Sequence, residues 1–444
     1  MEIFATRGRH RVLLRPGDAG YDEALKARGI TPEPVQPPIV KQETELKKEE
    51  PKMAEEQKPK VEVDIEKPVV VPMIEIPTLD LEEYEIPKEE ESIIKDKSKG
   101  SVKYAFVGSG QGGSRIAKSF YDLGYKKAIV LNTSKHDLDL MEMPATQKFF
   151  MDIGEEGAGK VMERGKQAAE KYKQEIFDMM RRLFGKVDHV FVCAGAGGGT
   201  GGGSIAPLLG IARKYLKYAG HDNPRERLGA IITLPTGGES SSPQVASNAF
   251  EVASSIGGLA EKNEISPLII VDNDKIVKMY KGLTPAKYWP TINGAVSNLF
   301  NIFNYLSSCP SSYTSFDTTD YLSLVRSGGC MIFGLAKIAD YKTEHNISQA
   351  LKNVLYKTLL AEGFDLSTAK TAASIVVAGK KIMDTEAGLM DKINYAFDCM
   401  SNMCPNATIH RGIYEDGRDS VRIYTIISGL KMPEQRLAKL GKAE

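Results

Sequence analysis

From Val102 onward, short apolar runs alternate with helix-length amphipathic segments. The runs at 102–107, 128–131, 187–193, 229–234 and 268–271 have strand length, and helical periodicity follows from Gly113, Gly159, Gly201, Pro243 and Lys275. Strand–helix alternation of this kind predicts an α/β domain around a parallel, doubly wound sheet, with ligands at the carboxyl ends of the strands. A long helix is then predicted over 288–306, because Val296, Leu299, Ile302, Phe303 and Leu306 fall on one face. Beyond it, strands at 331–338 and 372–378, helices at 347–362 and 386–400, and a closing strand pair at 408–414 and 421–428 predict a smaller α+β domain.

The first hundred residues lack this pattern. Residues 1–30 are mixed: 12–14 could be a strand and 21–28 a helical turn or two. Residues 31–100 hold 10 of the 22 prolines, with 11 Lys against 19 Asp plus Glu. Such a segment buries too little apolar surface to offset its ordering entropy. It reads as a disordered acidic linker, in which 69–71 and 74–76 are either a short docking strand or part of an extended spacer. The boundaries this gives are 1–30, the linker 31–100, an α/β domain 101–287, the central helix 288–310, a second domain 311–430 and a short basic tail 431–444.

Composition narrows the function classes. Formal net charge is +0 and no segment forms a basic stripe, so direct nucleic-acid binding is not expected. Cys193, Cys309, Cys330, Cys399 and Cys404 have irregular spacing with no second Cys/His pair for zinc, which suits reduced thiols in a cytoplasmic protein. Arg7, Arg9, Arg11 and Arg15 precede no apolar signal region, and no apolar run approaches the roughly 20 residues of a membrane span.

Three glycine-rich stretches carry chemistry. The first, Gly108-Ser109-Gly110-Gln111-Gly112-Gly113, follows a strand and opens a helix, where backbone N–H groups meet a diphosphate. It also fits a dinucleotide fingerprint, but a nicotinamide site wants an acidic residue after the second strand and the chain has Asn132-Thr133. The second stretch, 194–204, has seven glycines in eleven residues. At about 1 kcal/mol per glycine a helix interior is unfavourable, so an anion-wrapping loop is expected, with Thr200 and Ser204 as added donors. The third, 154–161, nearly matches a Walker A loop, yet Val161 stands where a hydroxyl should ligate Mg²⁺, and Glu155 and Glu156 oppose phosphate.

The run Gly197-Gly198-Gly199-Thr200-Gly201-Gly202-Gly203 resembles the signature loop of the tubulin/FtsZ superfamily, with Gly202 where that family more often has Ser or Thr. The resemblance covers about residues 102–430 and implies a Rossmann-like GTPase domain, a GTP substrate, Mg²⁺ held mostly through water, and head-to-tail filaments. Carried over residue by residue, Gly108, Gly110, Gln111, Gly112 and Gly113 resemble the first phosphate loop and Asn132 and Thr133 the second. Gly157, Ala158, Gly159 and Lys160 resemble the γ-phosphate sensor, Pro235 and Glu239 the ribose loop, and Asn273 the contact to sugar or base. Trp289 and Asn293, four residues apart on one helix face, resemble the aromatic and amide that hold guanine; Trp289 could also be an ordinary core residue.

Asp317 and Asp320 in Ser315-Phe316-Asp317-Thr318-Thr319-Asp320 resemble the family's catalytic loop, with Ser315 replacing the usual Asn. Asp317 or Asp320 could instead cap the following helix, capping being as good a reading as catalysis for Asp320 alone, and both roles can coexist. The implied mechanism has one subunit hold GTP while the next presents these carboxylates, so hydrolysis depends on assembly. The Thr-rich loop and the short C-terminal tail are more like the TubZ-like plasmid and phage branch, whose filaments position DNA, than the FtsZ division branch. An adaptor could bind the N-terminal extension or the tail through Lys431, Arg436, Lys439 and Lys442, although a solvated helix end fits those charges too. A nicotinamide oxidoreductase and a non-catalytic GTP-binding adaptor are the rival classes.

Overall fold

A computed structural model describes residues 3–7, 10–14, 97–279, 284–356 and 360–441. Near the N-terminus β1 (Ile3–Arg7) and β2 (His10–Leu14) form an antiparallel hairpin, so the strand expected at 12–14 belongs to β2. The helical turn expected at 21–28 and the docking strand and disorder expected within the linker lie outside the described residues.

Ten strands form one sheet: β3 (Tyr104–Ser109), β4 (Ala128–Asn132), β5 (Lys148–Phe150), β6 (His189–Gly195), β7 (Leu228–Leu234), β8 (Leu268–Asp272), β9 (Cys330–Ile338), β10 (Thr371–Gly379), β11 (Thr408–Asp416) and β12 (Val421–Leu430). Their order is β11-β10-β12-β9-β8-β7-β6-β3-β4-β5. From β9 to β5 every pairing is parallel, and β12 runs antiparallel to both neighbours. β3, β4, β7, β8, β10 and β12 are buried at every position. Strands covered on both faces need apolar residues without alternation, which is why they appear as continuous runs in the sequence. The expected doubly wound α/β sheet is therefore present. The strands of the second half continue it through one register pair, Leu268 with Cys330, and through the Leu268 N–H donated to Gly329 O at 2.9 Å.

The central helix spans Pro285–Leu306, with proline in its first turn, where the missing N–H costs nothing. Val296, Leu299, Phe303 and Leu306 are buried as the periodicity predicts. Asn304 is fully buried and joins this helix to the start of the sheet: it accepts from Val102 N–H at 2.9 Å and donates to Val102 O at 3.0 Å. Helices expected at 347–362 and 386–400 occupy Asn346–Tyr356 and Leu389–Met403, the latter starting after Gly388 at φ +75°.

The basic tail is a helix, Glu434–Gly441, whose Leu437 and Leu440 are buried. Arg436 grips Asp272 with two bonds, at 2.6 and 3.0 Å. This cation is thus committed internally and does not belong to a free basic surface. At the two ends of the sheet, β5 is three residues long, and β11 is covered mid-length: Ile413 N–H donates to Thr314 O at 2.8 Å and the Ser311 hydroxyl donates to Ile413 O.

Candidate nucleotide-binding site

A cleft of about 470 Å³ opens at the carboxyl ends of the parallel strands. Gly110, Gln111 and Gly112 line it at the start of the helix Gly110–Asp122, and Gly197 to Gly201 line it at the start of the helix Gly199–Tyr218. Neither helix carries an acidic residue in its first turn, so the two N-terminal ends present uncompensated N–H groups to one space. Gly110 adopts φ +65°, a left-handed conformation that glycine enters without strain. The helix ends are locked together beneath the cleft by Ser109 Oγ and Ser204 Oγ, 2.6 Å apart and buried.

Two corrections concern the glycines. Gly199 to Gly203 do not form a loop; they are the first turns of a 20-residue helix. A Cβ on Gly203 would lie 1.8 Å from Met162 O, and one on Gly165 would lie 2.3 Å from Gly199 O. The run lets the helix Met162–Lys171 cross at backbone contact, and this tertiary requirement outweighs helix propensity. Gly202 faces Met162 and Ala196 in that contact rather than the cleft. Gly108 and Gly113 are also off the wall: a Cβ on Gly113 would lie 2.0 Å from Cys193 O and one on Gly108 2.5 Å from Gly113 O, so these glycines seat the first helix on β6 and β3.

The opposite wall is built from two linked loops. Asn132 lines the cleft, while Thr133 sits behind it with its hydroxyl 2.6 Å from that of Thr200. Gly157 N–H donates to Thr133 O at 3.0 Å, which brings Gly157, Ala158, Gly159 and Lys160 onto the wall. Gly154, Gly157, Gly159 and Lys160 all have positive φ. Glu156 accepts from the Ser134 hydroxyl at 2.7 Å and from His136 N–H at 3.1 Å, and these bonds hold its carboxyl below the usual range. Glu155 pairs with Arg164 at 2.6 Å. The two carboxylates that looked hostile to phosphate are thus bound to their own partners. Val161 precedes the helix Met162–Lys171 with no hydroxyl to offer, so the segment is not a Walker A loop.

The far end is suited to a nucleoside. Pro235 and Glu239 line it, and Glu239 closes a capping box with Thr236. Asn273 is buried and its Oδ1 has no hydrogen-bond partner, so an acceptor waits there for a ligand's hydroxyl or N–H. Trp289 and Asn293 complete this end, one helical turn apart. Arg115, absent from the sequence expectations, also lines the cleft and sets its guanidinium 4.9 Å from the centre of the Trp289 ring. Its position four residues after Gln111, on the same helix face, was the available signal. Paired helix ends, an orphaned acceptor, an aromatic ring and two amides fit a purine nucleoside triphosphate.

Residues 103–281 match the GTPase domain of the tubulin/FtsZ family, and residues 314–434 match the C-terminal domain of the tubulin-like protein TubZ. The chain carries a tubulin/FtsZ-family GTPase domain and a TubZ-type C-terminal domain. It is 26% identical over 383 residues to TubZ of Bacillus cereus, covering 78% of this chain and 83% of that one. It is 23% identical over 358 residues to cell division protein FtsZ 2 of Haloferax volcanii, covering 79% and 82%. The fold is that of the GTPγS-form protofilament of TubZ from Bacillus thuringiensis serovar israelensis, at TM-score 0.67 and 18% identity over 78% of this chain and 92% of that one. CetZ2 of Haloferax volcanii gives TM-score 0.60 and 18% identity over 77% and 98%.

Within this tubulin/FtsZ fold, Asp317 and Asp320 stand apart from the cleft, and no residue between 311 and 330 lines it. Asp317 caps the helix Thr318–Val325: it accepts from Asp320 N–H at 2.9 Å, and Asp320 returns the bond from Asp317 N–H at 3.2 Å. The helix ends beside Ser266, just before the start of β8, whereas the cleft opens beyond the strands' carboxyl ends. The carboxylates of one molecule therefore do not serve its own cleft.

Proposed function

We propose that this protein binds GTP in the cleft and hydrolyses it only after a second copy, docked head to tail, presents Asp317 and Asp320. The separation of the cleft from this carboxylate pair within one molecule carries the reading. The glycine N–H groups of 110–112 and 197–201 would hold the phosphates, and Gly157, Ala158, Gly159 and Asn132 would flank the γ-phosphate. Asn273, Trp289 and Asn293 would hold the nucleoside. Mg²⁺ would bind through phosphate and water, with Asn132, Ser134 and Asp137 among the cleft-lining side chains that carry oxygens. When bound, the ion neutralises phosphate charge. The carboxylates would orient the attacking water and accept its proton. A heterologous contact of this type repeats into an open filament.

Among the branches, positioning of plasmid or phage DNA is favoured over cell division, because the match over 314–434 is to TubZ. One structural relative is described as a type III plasmid segregation TubZ. Cargo would be reached through an adaptor on the N-terminal extension or on Lys431, Lys439 and Lys442 in a cytoplasmic setting; no helix among the described residues is long and apolar enough to cross a membrane. A nicotinamide oxidoreductase is disfavoured by Asn132 at the end of β4. The test is phosphate release from GTP against protein concentration, with Asp320→Asn alongside. Specific activity should rise above a threshold concentration, and the variant should bind GTP without turning it over. Flat activity per molecule would sink the shared-site mechanism.

A further inference from the structure

Asp320 does not stand alone. Its Oδ1 lies 2.8 Å from Nδ1 of His410, the third residue of β11 and 90 positions away in the chain. Its Oδ2 accepts the Asp317 N–H. The other ring nitrogen of His410, Nε2, lies 2.9 Å from Ser323 Oγ, and that hydroxyl lies 2.7 Å from Asp320 O. The side chains of His410 and Asp320 are 17% and 28% exposed, so the chain of bonds is sheltered without being sealed from solvent.

We propose that His410 is a positioning residue for hydrolysis, fixing the Asp320 carboxylate in the orientation from which it accepts a proton from the attacking water. This rests on the reading of Asp320 as catalytic. With both ring nitrogens engaged, the imidazole cannot flip or swing, and Nδ1–H stays directed at Oδ1. A carboxylate offers about four lone-pair sites, so one bond to each oxygen leaves acceptor capacity for water. The Ser323 proton can go to Nε2 of a neutral ring or to Asp320 O when the ring carries both protons; Nδ1–H remains a donor in either state. Ser323 acts here as a brace: its hydroxyl oxygen sits inside its own helix, 2.7 Å from the Asp320 carbonyl and 2.9 Å from Nε2. No sequence motif pairs His410 with Asp320; the sheet brings them together.

The test compares His410→Phe, His410→Asn and Asp320→Asn in the full chain. Assembly is followed by sedimentation with a slowly hydrolysed GTP analogue, and turnover is expressed per assembled subunit. His410→Phe keeps the ring's bulk and removes both nitrogens. It should leave the threshold concentration within about twofold while lowering turnover by about tenfold to a hundredfold, the scale of a mispositioned catalytic group. His410→Asn, whose amide N–H can replace Nδ1–H, should restore most of the rate. Normal turnover in His410→Phe beside a silent Asp320→Asn would overturn the role of His410 and leave the catalytic reading intact. Loss of assembly and turnover together in both His410 variants would reduce His410 to a fold residue. Full turnover in Asp320→Asn, or none in the wild type, would remove the catalytic reading and the proposal with it.

Discussion

Replacing Gly203 with alanine should destabilise the protein, whereas the same change at Gly258 should stabilise it. Both residues lie inside helices, Gly199–Tyr218 and Pro243–Glu261, and intrinsic propensity favours alanine at each by about 1 kcal/mol. Their surroundings decide the sign. A Cβ on Gly203 would stand 1.8 Å from Met162 O, a backbone atom, while one on Gly258 meets nothing within 4 Å. Restoring ordinary contact requires the helix Met162–Lys171 to retreat by roughly 1.6 Å, from 1.8 Å to the 3.4 Å of a normal approach. Overpacking of this severity belongs near the upper end of about 1–3 kcal/mol, so Gly203→Ala should lose about 2 kcal/mol net. Gly258→Ala should gain about 0.5–1 kcal/mol. Urea-unfolding midpoints without nucleotide measure both. GTP affinity should fall only in the Gly203 variant, because the displaced helix abuts Gly199 and Thr200. Equal stabilisation by the two changes would refute the backbone-contact crossing.

Three further outcomes follow from buried contacts. Arg436→Ala leaves Asp272, 4% exposed, without its cation; stability should fall by about 3–5 kcal/mol and recover largely when Asp272→Asn is added, as read by denaturant titration. His189 is fully buried between Tyr104 and Phe191, both ring nitrogens lack partners, and burial holds its pKa well below the usual 6.5. The unfolded chain then binds a proton that the folded one refuses. Stability should fall as pH drops below about 6.5, approaching about 1.4 kcal/mol per pH unit from this group; a His189→Phe variant lacking this component is expected, and an unchanged pH profile would refute it. Trp289 is the chain's single tryptophan and lines the cleft, so GTP should change the protein's tryptophan emission, and Arg115→Ala should alter both the starting signal and its change.

How legible all this was in the sequence depended on the range of the interaction. The buried strands β3, β4, β7 and β8 could be read directly, because burial on two faces forces an uninterrupted apolar run. β5 was missed because it has three half-buried residues. The glycine run stands out in the sequence but its helical conformation does not, since propensity weighs residues singly and the close approach of Met162 is tertiary. Most of the residues expected to hold phosphate or nucleoside were legible as positions lining the cleft, because each loop is local in sequence. Arg115, the Arg436–Asp272 pair and His410 were not, since each acquires meaning from an element elsewhere in the chain. Asp317 and Asp320 carry two readings, catalysis and capping; the structure displays the capping geometry, and the catalytic role is proposed from their separation from the cleft.

An open sheet is normally a template, because its terminal strands offer unpaired backbone groups to any passing chain. Here one end is only three residues long, and the other is shielded at its middle by the Ser311 and Thr314 contacts to Ile413. Neither end offers a long register for annealing another copy's strand. A protein proposed to gather its own copies in quantity has thus closed the cheap, indiscriminate route to self-association. Growth is left to surfaces that can recognise subunit orientation, and the shield over Ile413 is supplied by the segment leading directly to Asp317. The stretch that guards against disordered aggregation is therefore continuous with the one proposed to make ordered assembly productive.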